Sequence, residues 1–175
     1  MSDPLKAHKG RGAVSALSGR FAAQQVQLSP AEANRDSEAP PETVLTAMRA
    51  GKIISHNSSP DVPFDRSINP YQGCEHGCIY CYARPSHSYL DLSPGIDFET
   101  RIFYKPNAAE RLLDAWEKPG YDCKPITIGA NTDPYQPAER TTGVTRQLLQ
   151  LFEKYQHPVN LITKGTLIER DIDLL

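Results

Sequence analysis

Asn69-Pro70-Tyr71-Gln72-Gly73-Cys74-Glu75-His76-Gly77-Cys78-Ile79-Tyr80-Cys81 is the stretch on which the reading of this chain turns. It holds three of the four cysteines in 175 residues, at spacings of four and three. That is the reach of a tight loop or a single helical turn. A disulfide would use two of the thiols and strand the third. A structural zinc ion wants four ligands, commonly two separated Cys or His pairs, and no second pair follows. Soft thiolates also select iron–sulfur clusters, and a four-iron cluster held by three thiolates keeps one iron without a protein ligand. An open metal position belongs to catalytic rather than structural sites. Gly73 and Gly77 allow positive φ and close approach of backbone to a bulky inorganic core. Asn69-Pro70 breaks whatever strand precedes it. Two closed arrangements stand beside the open one: a cluster with Cys123 as fourth ligand, and a zinc site completed by His76 or Cys123.

Outward from this loop, the composition sets bounds. The 175 residues suggest one domain or a little more. Lys plus Arg number 19 against 21 Asp plus Glu, so the net charge of −2 argues neither for nor against nucleic acid. The N-terminus lacks the apolar core of a secretory signal. No stretch approaches the ~20 apolar residues that cross a bilayer, so no membrane partner is expected. Clustered cysteines without a signal point to the reducing cytoplasm.

Residues 1–63 carry few apolar runs and are expected to form a flexible or extended N-terminal segment. A short helix is expected over residues 41–49, where Val44, Leu45 and Met48 share a face. From residue 64 the pattern becomes α/β. Residues 66–71 read as a strand feeding the cysteine loop. A helix is expected to begin after Cys81 and dissolve over residues 86–95. Residues 101–104 are strand-like. Asn107 and Glu110 form a capping-box pattern for a helix with Leu112, Leu113 and Trp116 on its apolar face, ended by Pro119-Gly120. Residues 126–128 read as a buried strand. Val144, Leu148, Leu149 and Phe152 mark an amphipathic helix. Residues 159–163 form another strand, and Thr166 and Glu169 open a last capped helix. Strands alternating with helices imply βαβ units and a parallel sheet, whose ligands gather at the carboxyl ends of the strands. The cysteine loop, Asn131-Thr132-Asp133-Pro134-Tyr135 and Lys164-Gly165 each follow a strand and are expected on that rim.

Cys74-Glu75-His76-Gly77-Cys78-Ile79-Tyr80-Cys81 resembles the Cys-x3-Cys-x-aromatic-Cys signature of radical S-adenosylmethionine (radical SAM) enzymes. The longer run from Asn69-Pro70-Tyr71 to Tyr82-Ala83-Arg84 is similar to the subgroup related to spore photoproduct lyase, known as DNA-repair-photolyase-like. The resemblance covers residues 64–175 and, more weakly, 10–21, including the Gly-Arg-Gly-Ala-Val-Ser run at 10–15. It implies a partial (β/α)6 radical SAM barrel, of which this chain would supply about the first half. It implies two cofactors, a 4Fe-4S cluster on Cys74, Cys78 and Cys81 and S-adenosyl-L-methionine chelated to the open iron. Reduction would then split the sulfonium and release a 5′-deoxyadenosyl radical. Tyr80 would lie near the adenine. Asn131, Thr132 and Asp133, in a Thr-Asp-Pro-Tyr-Gln-Pro motif, would meet the amino group; Asp133 could instead only cap the Pro134 turn. Lys164 would pair with the methionyl carboxylate. Glu139 and Arg140 are expected to form structural ion pairs, His76 to face solvent, and Cys123 to be a buried small hydrophobe. Family partners would be an electron donor of flavodoxin or ferredoxin type and, by resemblance only, nucleic acid. The catalytic hydrogen donor is unassigned. The alternative function is a non-catalytic iron–sulfur or zinc module using Cys74, Cys78, Cys81 and Cys123.

Overall fold

The computed structural model describes Gly12 and residues 42–175. The expected flexible segment and the 10–15 run, Gly12 excepted, lie largely outside the described residues. Along the chain run β1 (Val44–Ala47), β2 (Ile54–His56), β3 (Arg66–Ile68), β4 (Tyr71–Gln72), a 3-10 segment Arg84–Leu90, α1 (Asp97–Thr100) and β5 (Arg101–Tyr104). Then follow α2 (Ala108–Trp116), β6 (Ile126–Ile128), α3 (Glu139–Thr142), α4 (Val144–Lys154), β7 (Val159–Leu161) and a second 3-10 segment Thr166–Leu174. The fold class is α/β, and the described residues contain no closed barrel. The chain divides into two compact units: Met1–Val44 with Gln72–Ile102, and Leu45–Tyr71 with Phe103–Leu175.

The second unit is built on a four-stranded sheet in the order β2-β3-β6-β7. β2 runs antiparallel to β3, pairing Ile54 with Ile68. β3, β6 and β7 are parallel, with Ile68 opposite Ile128 and Ile128 opposite Leu161. Every residue of β6 is buried, as expected of a central parallel strand covered on both faces. Ile68, Ile126 and Ile128 share the core with Leu112 of α2 and Leu148 and Leu149 of α4, all fully buried. Those leucines lie on single helical faces, so α2 and α4 pack against each other while their charged faces meet solvent. Trp116, at the end of α2, stacks on His157 at 4.6 Å and meets Phe152 edge-on at 5.3 Å.

Several local expectations change. Residues 44–47 form a strand, not a helix. Val44 and Leu45 are exposed, so among the described residues the supposed apolar face is left uncovered. A helix that short is marginal without packing, whereas the extended chain lets Met48 N–H donate to the Tyr104 carbonyl at 2.9 Å. The strand expected over 66–71 splits into β3 and β4 around Pro70, which has no N–H for a ladder. After Cys81 the chain makes a 3-10 segment in place of the start of an α-helix, and the stretch expected to dissolve over 86–95 stays in that segment through Leu90. Asn107 sits at the N-cap of α2, but its amide clasps Ala50 instead, accepting from the N–H and donating to the carbonyl, each at 2.9 Å. The 159–163 strand ends at Leu161. The last helix is 3-10, without a side-chain cap bond, and kinks at Asp171.

Candidate functional site

In the first unit the cysteine loop is built on the four residues of α1. The Phe98 carbonyl accepts the Cys74 N–H at 2.8 Å. The Phe98 ring joins Cys74, Ala83 and Cys81 in one apolar cluster. Glu99 is fully buried, and its carboxylate accepts from Arg84, whose guanidinium also donates to the Cys78 carbonyl through Nη2 at 3.0 Å and Nε at 3.3 Å. Arg84 Nη1 reaches the Gly95 carbonyl at 3.2 Å, and its plane lies over the Phe98 ring. A buried carboxylate is tolerated only with such pairing, and the fork of a guanidinium can grip a carboxylate and a carbonyl together. His87, fully buried, meets Phe98 edge-on and bonds the Arg101 carbonyl at 3.0 Å. Burial holds its pKa below the ordinary value. α1 therefore meets the loop directly at Cys74 and, through Arg84, at Cys78, and its Phe98 belongs to the cluster on which Cys81 packs.

The loop glycines do what their positions require. Gly73 has φ +80, and an added Cβ would lie 2.9 Å from the Ile102 side chain and 3.0 Å from two carbonyl oxygens. Gly77 has φ +60, with Glu99 Oε2 3.1 Å from where a Cβ would sit. None of the four cysteines is in a disulfide; Cys74 is buried and Cys78 and Cys81 are half-buried. Ile79, Tyr80 and Tyr82 are exposed, Tyr80 by 81%. His76 is half-buried rather than solvent-facing. Cys123, in the second unit, is exposed rather than a core residue; the short 123–125 approach to β6 stays on the surface.

In the second unit the carboxyl ends of β3, β6 and β7 bring Asn69, residues 131–133 and residues 163–164 to one edge. Asn69 Oδ1 accepts the Asn131 N–H at 2.7 Å. Thr132 is buried and its hydroxyl donates to the Tyr71 carbonyl at 2.9 Å. The Asp133 carboxylate accepts from Tyr135 N–H at 2.8 Å, Thr163 Oγ1 at 2.6 Å and Lys164 N–H at 2.9 Å. A carboxylate offers about four lone-pair sites, so most of its capacity ties the Pro134 turn to the end of β7. Lys164 has an exposed side chain and Asn131 a half-buried one. Deeper in the same unit, fully buried Glu139 takes the Tyr71 hydroxyl, Arg170 and the N–H groups of Thr145 and Arg146. Burial, reinforced by Glu139, raises the Tyr71 pKa. Buried Asp171 is likewise held by Arg146, Arg170 and Tyr135. Glu139 is thus the structural ion-pair residue expected, whereas Arg140 is exposed and has no ion pair among the described residues.

Sequence reasoning passed over Glu99, Phe98 and His87, and over Lys105. The Lys105 ammonium donates to the Asn69 carbonyl at 2.6 Å, and burial lowers its pKa. No local pattern marks these residues, because each gains its role from a partner distant in sequence; only Arg84, three residues past Cys81, falls inside the longer motif. The donor set fits an iron–sulfur cluster in kind: three thiols outside any disulfide, two of them in one apolar cluster, on a loop opened by positive-φ glycines. Among the described residues no three His, Cys, Asp or Glu side chains already converge on one metal position.

No family model matches the chain, and no solved structure does. Uncharacterized proteins of Mycobacterium tuberculosis and Mycobacterium bovis are each 40% identical to it over 114 residues, 65% of this chain and 34% of theirs. An uncharacterized protein of Methanocaldococcus jannaschii is 27% identical over 130 residues, 74% of this chain and 46% of its own length. The chain therefore spans less than half the length of these curated relatives. Among the described residues no helix is long and apolar enough to cross a membrane.

Proposed function

We propose that this chain contributes the cluster-binding portion of a cytoplasmic radical SAM iron–sulfur enzyme related to spore photoproduct lyase, with Cys74, Cys78 and Cys81 as iron ligands. The observation that supports this above the others is the bracing of one loop carrying three cysteines, none in a disulfide: Cys74 is bonded to Phe98 of α1, Cys78 is held by Arg84, itself paired with Glu99 of α1, and Cys81 packs against the Phe98 cluster. When bound, a 4Fe-4S cluster with S-adenosylmethionine on its open iron supplies a reducing electron and a 5′-deoxyadenosyl radical. The chain's own part is to present three thiolates, to shield Cys74 and Cys81 with Phe98 and Ala83, and to fix the Cys78 backbone through Arg84. Asn131, Thr132, Asp133 and Lys164 are assigned to S-adenosylmethionine by resemblance alone; in the structure Thr132 is buried and Asp133 binds its own loop. An electron donor of flavodoxin or ferredoxin type would feed the cluster, and nucleic acid is the substrate class the resemblance suggests.

Anaerobic reconstitution tests this. The parent should bind about four irons per chain, and its reduced electron paramagnetic resonance spectrum should change on adding S-adenosylmethionine. Ala at Cys74, Cys78 or Cys81 should abolish the cluster, whereas Cys123→Ala should keep it. Loss of iron in Cys123→Ala would favour the closed four-thiolate module. Stoichiometric zinc with no iron would sink the proposal.

A further inference from the structure

The Gly-Arg-Gly-Ala-Val-Ser run at residues 10–15 has no role in the site described so far. Its one described residue is Gly12. The Gly12 N–H donates to Glu99 Oε2 at 3.0 Å. A Cβ built on Gly12 would lie 1.9 Å from the Gly77 carbonyl oxygen, 2.8 Å from its carbon and 3.3 Å from Ile79 Cγ2. Real Cβ atoms do not approach backbone that closely, so any other side chain must push Gly12 off the cysteine loop. Glu99 therefore stands between two grips. One carboxylate oxygen takes Gly12, and the other takes Arg84, which holds the Cys78 carbonyl. Gly77 lies directly before Cys78, so Gly12 and Arg84 bear on the loop at neighbouring positions.

We propose that Gly12 is a positioning residue for the cysteine loop: it seats on Gly77 and, with Glu99 and Arg84, fixes the backbone that carries the Cys78 thiol. This gives Gly12, the one described residue of the 10–15 run, a place against the loop. The proposal deepens the cluster reading and rests on it only for the purpose of the loop; the geometry is a property of the chain alone. Glu99 acts as a shared acceptor. Its burial makes each donor favourable, since a carboxylate removed from water is costly unless hydrogen-bonded, and the two donors meet different oxygens. Gly12 is chosen by space as well as by bonding, because only glycine brings its N–H within reach of Glu99 without striking Gly77.

Cysteine-resolved alkylation of the metal-free full chain, read by mass spectrometry, tests it. Cys123, exposed and in the second unit, is the internal control. Gly12→Ala should raise the rate at Cys78 roughly tenfold, as expected when a local closed state is lost, with Cys123 and the thermal melt unchanged. Arg84→Lys keeps the charge but lacks the fork, and should raise the Cys78 rate in the same way. An unchanged Cys78 rate in a folded Gly12→Ala protein would overturn the proposal. So would equal acceleration at Cys78 and Cys123, which would mark general unfolding. If Gly12→Ala fails to fold, Arg84→Lys decides alone, and a parent-like Cys78 rate there overturns the proposal. Iron loading separates the two readings: a parent that takes no iron removes the cluster assignment but leaves the alkylation result standing. A parent that takes iron should lose much of it in Gly12→Ala.

Discussion

In the second unit the acidic side chains near the strand ends are bound by the chain itself. Asp133 takes at least three donors, Glu139 four and Asp171 three residues' worth. In the first unit the grips on the cysteine loop fall on backbone atoms: the Cys74 N–H, the Cys78 carbonyl and the tight turns at Gly73 and Gly77. One unit uses its charged side chains as mortar. The other uses a buried ion pair, Arg84–Glu99, to hold main chain around three thiols. A side chain already satisfied on most of its lone pairs is poorly placed to bind a ligand. By that criterion the conspicuous acidic motif of the second unit is chiefly architecture, which leaves the cysteine loop as the part proposed above to carry the chemistry.

The contrast can be broken most sharply at Glu139. Glu139→Ala would remove the acceptor of the Thr145 and Arg146 N–H groups and one partner each of the Tyr71 hydroxyl and Arg170, the latter keeping Asp171, and should cost about 3 kcal/mol in denaturant unfolding. Glu139→Gln, which keeps an acceptor oxygen, should cost less. A loss under ~1 kcal/mol in Glu139→Ala would mean that the network is not structural mortar. A smaller effect is expected at Asp133. Asp133→Ala should destabilise the second unit by roughly 1.5–3 kcal/mol, the range for hydrogen bonds to a charged group. Hydrogen exchange should rise at the Tyr135 and Lys164 amides. If stability is unchanged while S-adenosylmethionine binding disappears, Asp133 is a ligand contact and the division drawn between the units fails there.

The smallest effect concerns pH. Burial, with Arg66 nearby, holds the His157 pKa below 6.5, the hydrogen bond to Pro158 opposing. The unfolded chain then takes up the proton more readily than the folded one. The stability carried by the neutral ring is whole above about pH 6.5 and drains as pH falls toward the lower folded value. Its loss should be less than that of either substitution, and His157→Gln should flatten the slope. His87, lowered by its own burial, should give the first unit a slope of the same sign. A slope of opposite sign would show that the rings are charged in the folded state.

Much of the second unit was legible in the sequence. The leucines at 112, 148 and 149 fixed two helical faces, and the Ile126–Ile128 run gave the central strand, because burial there follows a local period. Residues 131–133 and 163–164 follow neighbouring parallel strands, as the βαβ rhythm implied, whereas the cysteine loop expected on the same rim belongs to the other unit. The cysteine loop was legible as a set of donors. What escaped was its support. Glu99 looks like any surface acid in an acidic stretch, and its burial depends on Arg84 fifteen residues away and Gly12 eighty-seven away. Residues 44–49 misled for a related reason: their helical spacing was real, but among the described residues Val44 and Leu45 are left exposed. Cys123 misled through residue type, since cysteine's general preference for burial says nothing about a short connection held at the surface.

The stacking of Trp116 on His157 gives the molecule an optical handle. Trp116 is the sole tryptophan of the chain, its ring lies 4.6 Å from the imidazole and nearly parallel to it, and it belongs to the second unit. Protonated imidazole quenches indole emission on contact, so tryptophan fluorescence in this protein is a pH gauge of one histidine. It is also a one-sided reporter: its intensity and wavelength follow melting of the sheet unit and stay blind to events confined to the cysteine loop. Set beside a probe of the whole chain, such as far-ultraviolet circular dichroism, tryptophan fluorescence would thus single out the melting of the second unit without any label.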